Sequence, residues 1–188
     1  LALAQSEPYQ EGVHYFKIDQ AIPERDYVEV AEAFSYLCGH CATFEPYIQS
    51  WKAKIPGNVK FRRIHVGFGQ RLPELYSRAF ITASQMGIEE QSHQAMMDAV
   101  HKERKQIRSL DGMAEFYAQF GVDPEVFKAT AGSFGVSTQL SREQKEVRTY
   151  GITGTPNMVV NGRYRITSSR EVPGFDASTK ALFNALDD

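Results

Sequence analysis

The spacing of apolar residues changes period twice along the chain, and this limits what it can fold into. Tyr27 to Leu37 and Val59 to Val66 read as strands, rich in valine, isoleucine and aromatics, and His14 to Ile18 makes a shorter one. Beyond Gly67 helical spacing takes over and holds to Tyr150. Leu72, Tyr76, Ala79, Phe80 and Ala83 mark one amphipathic face, and Met96, Met97 and Val100 a second. Met113, Phe116, Tyr117 and Phe120 form a third, with Gly121 as its C-cap, and Val136, Leu140, Val147 and Tyr150 the last. Asp123-Pro124 supplies an N-cap and a first-turn proline for a short helix between these. After Gly151 strand signals return: Met158 to Val160, a two-residue turn at Asn161-Gly162, then Tyr164 to Ile166. Thr167 to Pro173 reads as a polar loop, and Asp176 as the cap of a final helix.

Strands at both ends with helices between them predict one α/β domain interrupted by an all-helical insertion. Residues 5–66 and 151–188 would build the sheet domain, and 67–150 the insertion. The methionine and aromatic stripes are read as core. A chain of 188 residues is long enough for such a core.

The two cysteines, Cys38 and Cys41, lie with Gly39 and His40 where the strand from Tyr27 meets a helix faced by Phe44, Ile48, Trp51 and Ile55. The first turn of a helix carries unpaired N–H groups and the positive end of the macrodipole, so it favours an anion. In a Cys-x-x-Cys pair that anion is the Cys38 thiolate, the nucleophile of disulfide exchange. The ring of His40, charged or donating, would favour it further. Cys41, one turn on and more sheltered, would resolve. Half of a zinc site is the bland alternative, but His14, His65, His93 and His101 are scattered singly, so no metal is expected. A purely structural disulfide closing so short a loop would constrain the unfolded chain little.

Strand parity adds an acid. Val28, Val30, Glu32 and Phe34 share one face, Tyr27, Glu29, Ala31 and Ala33 the other, which puts Glu32 among apolar neighbours six residues before Cys38. Burial raises a carboxyl's pKa, and such a group could take or deliver the proton of Cys41. The next strand puts Val59, Phe61, Arg63 and His65 on one face, so Arg63 is the expected charge partner of Glu32. Arginine stays charged and cannot shuttle protons; it should hold Glu32 ionised.

A net charge of −2 and a pI near 6.2 give no reason to expect nucleic acid. No apolar run approaches the roughly 20 residues of a transmembrane helix. Ala2-Leu3-Ala4 fits the small-x-small pattern before signal cleavage, so residues 1–4 read as a signal-peptide remnant and an exported, disulfide-permissive compartment is expected.

Taken together, the Cys-x-His-Cys pair at a helix start, the long helical insert and Gly154-Thr155-Pro156 before a final hairpin and helix resemble the DsbA family of periplasmic thiol:disulfide oxidoreductases, from about Tyr9 to the end. The resemblance implies a thioredoxin fold around the insertion, with Cys38 as nucleophile, Cys41 as resolving cysteine, His40 stabilising the thiolate and Glu32 as the buried acid. Pro156 would be the cis-proline facing the site, and Thr155 would present backbone groups to an extended peptide. Gly39 stands between the cysteines where the best-known member has proline, and Arg63 where it has lysine. These departures bear on redox potential and on any lysine-assisted proton relay.

The resemblance further implies a periplasmic enzyme that needs no bound cofactor beyond its Cys38–Cys41 disulfide. It would oxidise unfolded exported proteins, held in an apolar groove near Pro156 and the Thr167 to Pro173 loop. A membrane, quinone-linked partner of the DsbB type would reoxidise it, and a monomer is expected. The competing readings are a reductase or isomerase using the same pair, a Cys/His carrier of copper or zinc, and a thioredoxin-fold scaffold.

Overall fold

The computed structural model of the chain describes residues 11–12, 14–19 and 25–167. The expected signal remnant, most of the loop from Thr167 to Pro173 and the helix from Asp176 lie outside them. Among the described residues, five strands and six helices follow in the order β1 (Tyr15–Lys17), β2 (Val28–Phe34), α1 (Gly39–Lys52), β3 (Val59–His65), α2 (Arg71–Gln85), α3 (Glu89–His101), α4 (Leu110–Ala118), α5 (Pro124–Ala131), α6 (Phe134–Thr149), β4 (Asn157–Val160) and β5 (Tyr164–Thr167).

The strands form one sheet in the order β1-β5-β4-β2-β3, with β2 parallel to β3 and antiparallel to β4. A parallel pair needs a crossover, and α1 provides it. The two faces of β2 then bury against different helices, as its alternation requires. Val30 packs with Phe44, Ile48 and Trp51 of α1, whereas Ala31 and Ala33 pack with Val147 and Tyr150 at the end of α6. The helices between β3 and β4 close around Tyr76, Phe80, Met96, Met97, Met113, Tyr117 and Phe127, and this core continues into Phe34, Tyr36 and Cys41. The insertion thus buries its apolar stripes against the end of β2 from which the cysteine motif springs.

Local boundaries differ where a local rule outweighs periodicity. Helix α1 stops at Lys52 rather than running on to Ile55 and Gly57, because Pro56 disfavours helical backbone in the residue before it. Ile55 still packs against the Val30 cluster. Strand β2 ends at Phe34; Ser35 to Cys38 make a turn closed by the Cys38 N–H on the Ser35 carbonyl (3.0 Å). The C-cap of α4 is Gln119, and Gly121, with φ +81°, takes the turn beyond it. The hairpin turns at Asn161 and Gly162, both at positive φ, but pairing resumes only at Tyr164. Asn161 is also tied to β2, donating to the Glu29 carbonyl (2.7 Å) and accepting the Glu29 N–H (2.8 Å). The cap at Asp123 is as the sequence suggests: its carboxylate accepts the N–H groups of Glu125 and Val126.

Candidate active site

Cys38 is the N-cap of α1, in extended conformation at φ −95° and ψ 115°. This aims its sulfur back over the first turn, where Sγ accepts the Cys41 N–H at 3.4 Å. On its other side Sγ lies 3.4 Å from the Thr155 carbonyl oxygen, to which the thiol can donate. The Thr155–Pro156 peptide is cis, and Asn157 ties the loop by donating to the Gly154 carbonyl (2.8 Å). Strand β2 and helix α1 thus bring up Cys38, and the segment before β4 brings up Thr155, 117 residues away in sequence.

The two thiols are driven apart electrostatically. Cys38 is pushed down to about 5, mainly by the hydrogen bond from the Cys41 thiol, against the opposing effect of burial. The Thr155 side chain and the N–H groups of Cys41 and His40 add to the lowering. Cys41 is fully buried, and burial together with its charged neighbour pushes its pKa far up. One sulfur is therefore a thiolate at neutral pH and the other keeps its proton. His40 is exposed, and its main-chain N–H is directed at the Cys38 sulfur.

Gly39 opens α1 with ordinary backbone, and a Cβ built on it meets nothing within 4 Å. The extended Cys38 before it also suits a following proline. A proline at this first helical position loses less entropy on folding than glycine. We expect Gly39→Pro to stabilise the reduced protein by about 0.5–1 kcal/mol, read as a higher urea midpoint at unchanged slope.

Beneath the motif lies a buried charge cluster. The β2–β3 register sets Glu32 directly opposite Arg63, whose Nε is 3.1 Å from Glu32 Oε2. The same guanidinium reaches Glu45 Oε1 of α1 at 2.8 Å, and its Nη1 stands 3.9 and 3.8 Å from Glu89 and Glu90. One cation shared among several carboxylates does not hold each of them ionised. Burial outweighs Arg63 at Glu32 and, with Glu45 adding to it, pushes that carboxyl up to about 7, contrary to the expectation that Arg63 would keep it ionised. At Glu45 the balance reverses: burial opposes ionisation, but His93, Arg63 and Gln49 together hold its pKa below the usual carboxylate value.

Glu45 and His93 escaped the sequence reading, although Glu45 left a signal. Cys41, Phe44, Glu45 and Ile48 fall at one helical face, all four are buried, and a charge at the third of these positions needs a partner. His93 carries no such signal, being one polar residue in the stripe of α3. Among the described residues no group of three or more His, Cys, Asp or Glu side chains could hold a metal, and no helix is long and apolar enough to cross a membrane.

Comparison with known proteins adds the family. Residues 74–180 match the profile of a DSBA-like thioredoxin domain. The thiol:disulfide interchange protein DsbA of Pseudomonas aeruginosa is 38% identical over 164 residues, covering 86% of this chain and 77% of the relative. The crystal structure of Pseudomonas aeruginosa DsbA superposes with a TM-score of 0.84 at 35% identity, covering 95% of this chain and 91% of that one. A Proteus mirabilis DsbA variant with a non-covalently bound peptide, PWATCDS, superposes at 0.76 and 26% identity, covering 97% and 100%.

Proposed function

The chain belongs to the DsbA family of thiol:disulfide oxidoreductases, and from that premise we propose that the disulfide it hands on is Cys38–Cys41, formed and broken at Cys38. The observation that carries this reading is the opposite displacement of the two thiols. A substrate thiolate attacks Cys38 Sγ, the Cys38–Cys41 bond breaks, and Cys41 leaves with the electron pair and takes up a proton. The second substrate thiolate then attacks the substrate sulfur of the mixed disulfide. Cys38 departs as a stabilised thiolate, the substrate gains a disulfide, and the enzyme has accepted two electrons.

Glu32, titrating near neutrality, is the proposed proton store for Cys41. The exposed edge of the Thr155 loop is the proposed rest for an extended substrate backbone, with Pro156 beneath it. A peptide-bound relative supports peptide substrates for this chain. We take residues 5–66 and 151–188 as the thioredoxin-like domain and 67–150 as the helical insertion. The setting proposed is the periplasm, with unfolded exported proteins as clients and a membrane, quinone-linked protein of the DsbB type as reoxidant.

The test is a trap. Cys41→Ser removes the internal resolving thiol, so expression in a strain lacking its own DsbA should accumulate adducts between Cys38 and exported proteins. They should be reversed by dithiothreitol and absent from the Cys38→Ser, Cys41→Ser double variant. Equal adduct formation in both variants would sink the assignment of Cys38.

A further inference from the structure

Tyr36 stands two residues before Cys38, where β2 has ended and α1 has not begun. Three histidines hold it. Its N–H donates to His65 Nε2 of β3 at 3.0 Å, and its carbonyl lies 2.8 Å from His101 Nε2 at the end of α3. Its hydroxyl lies 3.1 Å from His93 Nδ1, also of α3.

The ring protons follow from the partners. A carbonyl only accepts, so His101 Nε2 carries hydrogen. A main-chain N–H only donates, so His65 Nε2 is bare and its proton sits on Nδ1, facing Ser77 Oγ at 2.8 Å. The Ser77 hydroxyl in turn donates to the carbonyls of His65 and Pro73, both at 3.2 Å. His65 is neutral, as its burial and the nearby His93 require. His93 directs Nε2 at Glu45 Oε2, 3.1 Å away, which leaves Nδ1 to accept the Tyr36 hydroxyl. Each contact has a donor and an acceptor, so Tyr36 is held at its N–H, its carbonyl and its hydroxyl at once.

We propose that Tyr36, His65, His93 and His101 are positioning residues for the nucleophile. They fix the turn in which the Ser35 carbonyl accepts the Cys38 N–H (3.0 Å), and through it hold Cys38 Sγ 3.4 Å from the Cys41 N–H that donates to its thiolate. Two of the three imidazoles belong to α3, so the helical insertion is part of what stabilises the thiolate. His101 is the informative member, because it is only half-buried and touches the main chain rather than the charge cluster. The inference rests on Cys38 being the reactive thiol, and its readout is the titration of that thiol rather than turnover.

The experiment compares reduced full-length wild type, His101→Ala, His101→Gln and Tyr36→Phe by thiolate absorbance against pH, alongside thermal midpoints. His101→Ala frees the Tyr36 carbonyl and should raise the Cys38 pKa by about half to one pH unit, the scale a single hydrogen bond allows. His101→Gln, whose amide N–H can stand where Nε2–H does, should restore it. Tyr36→Phe keeps both main-chain contacts and should shift it less than His101→Ala does. A lowered thermal midpoint in His101→Ala with an unmoved Cys38 pKa would make His101 merely structural and overturn the proposal. Should His101→Ala not fold, His101→Asn, too short to reach the carbonyl, takes its place under the same criterion. Failure of the Cys38 trap with a moved pKa would count against the proposed function alone.

Discussion

Reduced protein taken from neutral pH into acid will lose its thiolate absorbance with a midpoint near 5, and Cys38→Ser will lose both the absorbance and all disulfide exchange. The cause is local: the Cys41 thiol and the N–H groups of Cys41 and His40 all point at one sulfur. An unfolded cysteine titrates near about 8.5, so the folded reduced state binds fewer protons than the unfolded state between these values. A group depressed in this way adds stability that is fully present above about 8.5 and is lost as pH falls through the folded value near 5. Allowing for the partial exposure of Cys38, the contribution at neutral pH is ~2 kcal/mol.

The oxidised protein has no thiolate to stabilise, so this free energy belongs to the reduced form alone and makes the disulfide an oxidant. Equilibration with graded glutathione buffers should therefore place the reduction potential between about −120 mV, the known value of the DsbA type member rather than an inference from this geometry, and the about −180 mV of protein disulfide isomerase. A potential near the about −270 mV of thioredoxin, or a thiol midpoint close to about 8.5, would sink the donor reading and leave a reductase.

Arg63→Met is expected to cost about 3–5 kcal/mol, because it strands two buried carboxyls that share one guanidinium. The loss should depend on pH. Without Arg63, Glu32 must stay protonated in the folded protein and Glu45 keeps only His93 and Gln49 to oppose its burial, whereas the unfolded chain releases both protons above about 4.3. The variant should therefore approach wild type in acid and fall away from it as pH rises.

Glu32 already shows this sign in the wild type. Its folded pKa, about 7, lies above the ordinary value, so its effect on stability becomes steadily less favourable from about 4.3 up to 7 and is constant beyond. The total is ~4 kcal/mol across that window. Glu32→Gln should remove this loss, so that the reduced protein shows only the opposite rise from Cys38 across the window, and leave it at least as stable at pH 8 as the wild type. Urea unfolding at several pH values, on protein held reduced, measures all three. An Arg63→Met penalty that is the same in acid and at neutrality would show that the carboxyls are not the cause.

Relatives at 38% identity confirm the family that the Cys-x-His-Cys pair, the long insert and Gly-Thr-Pro suggested, but the residues were legible to different degrees. Period-two alternation in Val28 to Phe34 and Val59 to His65 was enough to put Glu32 and Arg63 on matching faces, and the register sets them opposite each other. Alternation carries no information on how one cation is divided among neighbours. Thus it led to an ionised Glu32, where burial and Glu45 together push the carboxyl up. His40 shows the same limit: its position in the motif suggested a ring effect, and the helix start adds its main-chain N–H, which alternation and spacing do not reveal.

The local pattern of the chain was sufficient for the strand–cysteine–helix junction, the helical insertion between two strand blocks, the cap at Asp123 and the turn at Asn161-Gly162. Each of these depends on residues within a turn or a few strand positions of one another. The folded molecule alone brought Thr155 to Cys38 across 117 residues, His93 to Tyr36 across 57 and His101 to Tyr36 across 65. Those contacts form because burying the stripes of the insertion against Phe34 and Tyr36 carries α3 to the end of β2, and apolar burial is non-directional. Periodicity foretells which faces are covered; which polar groups then meet across the closed core is settled by packing, and the chemistry of Cys38 depends on those meetings.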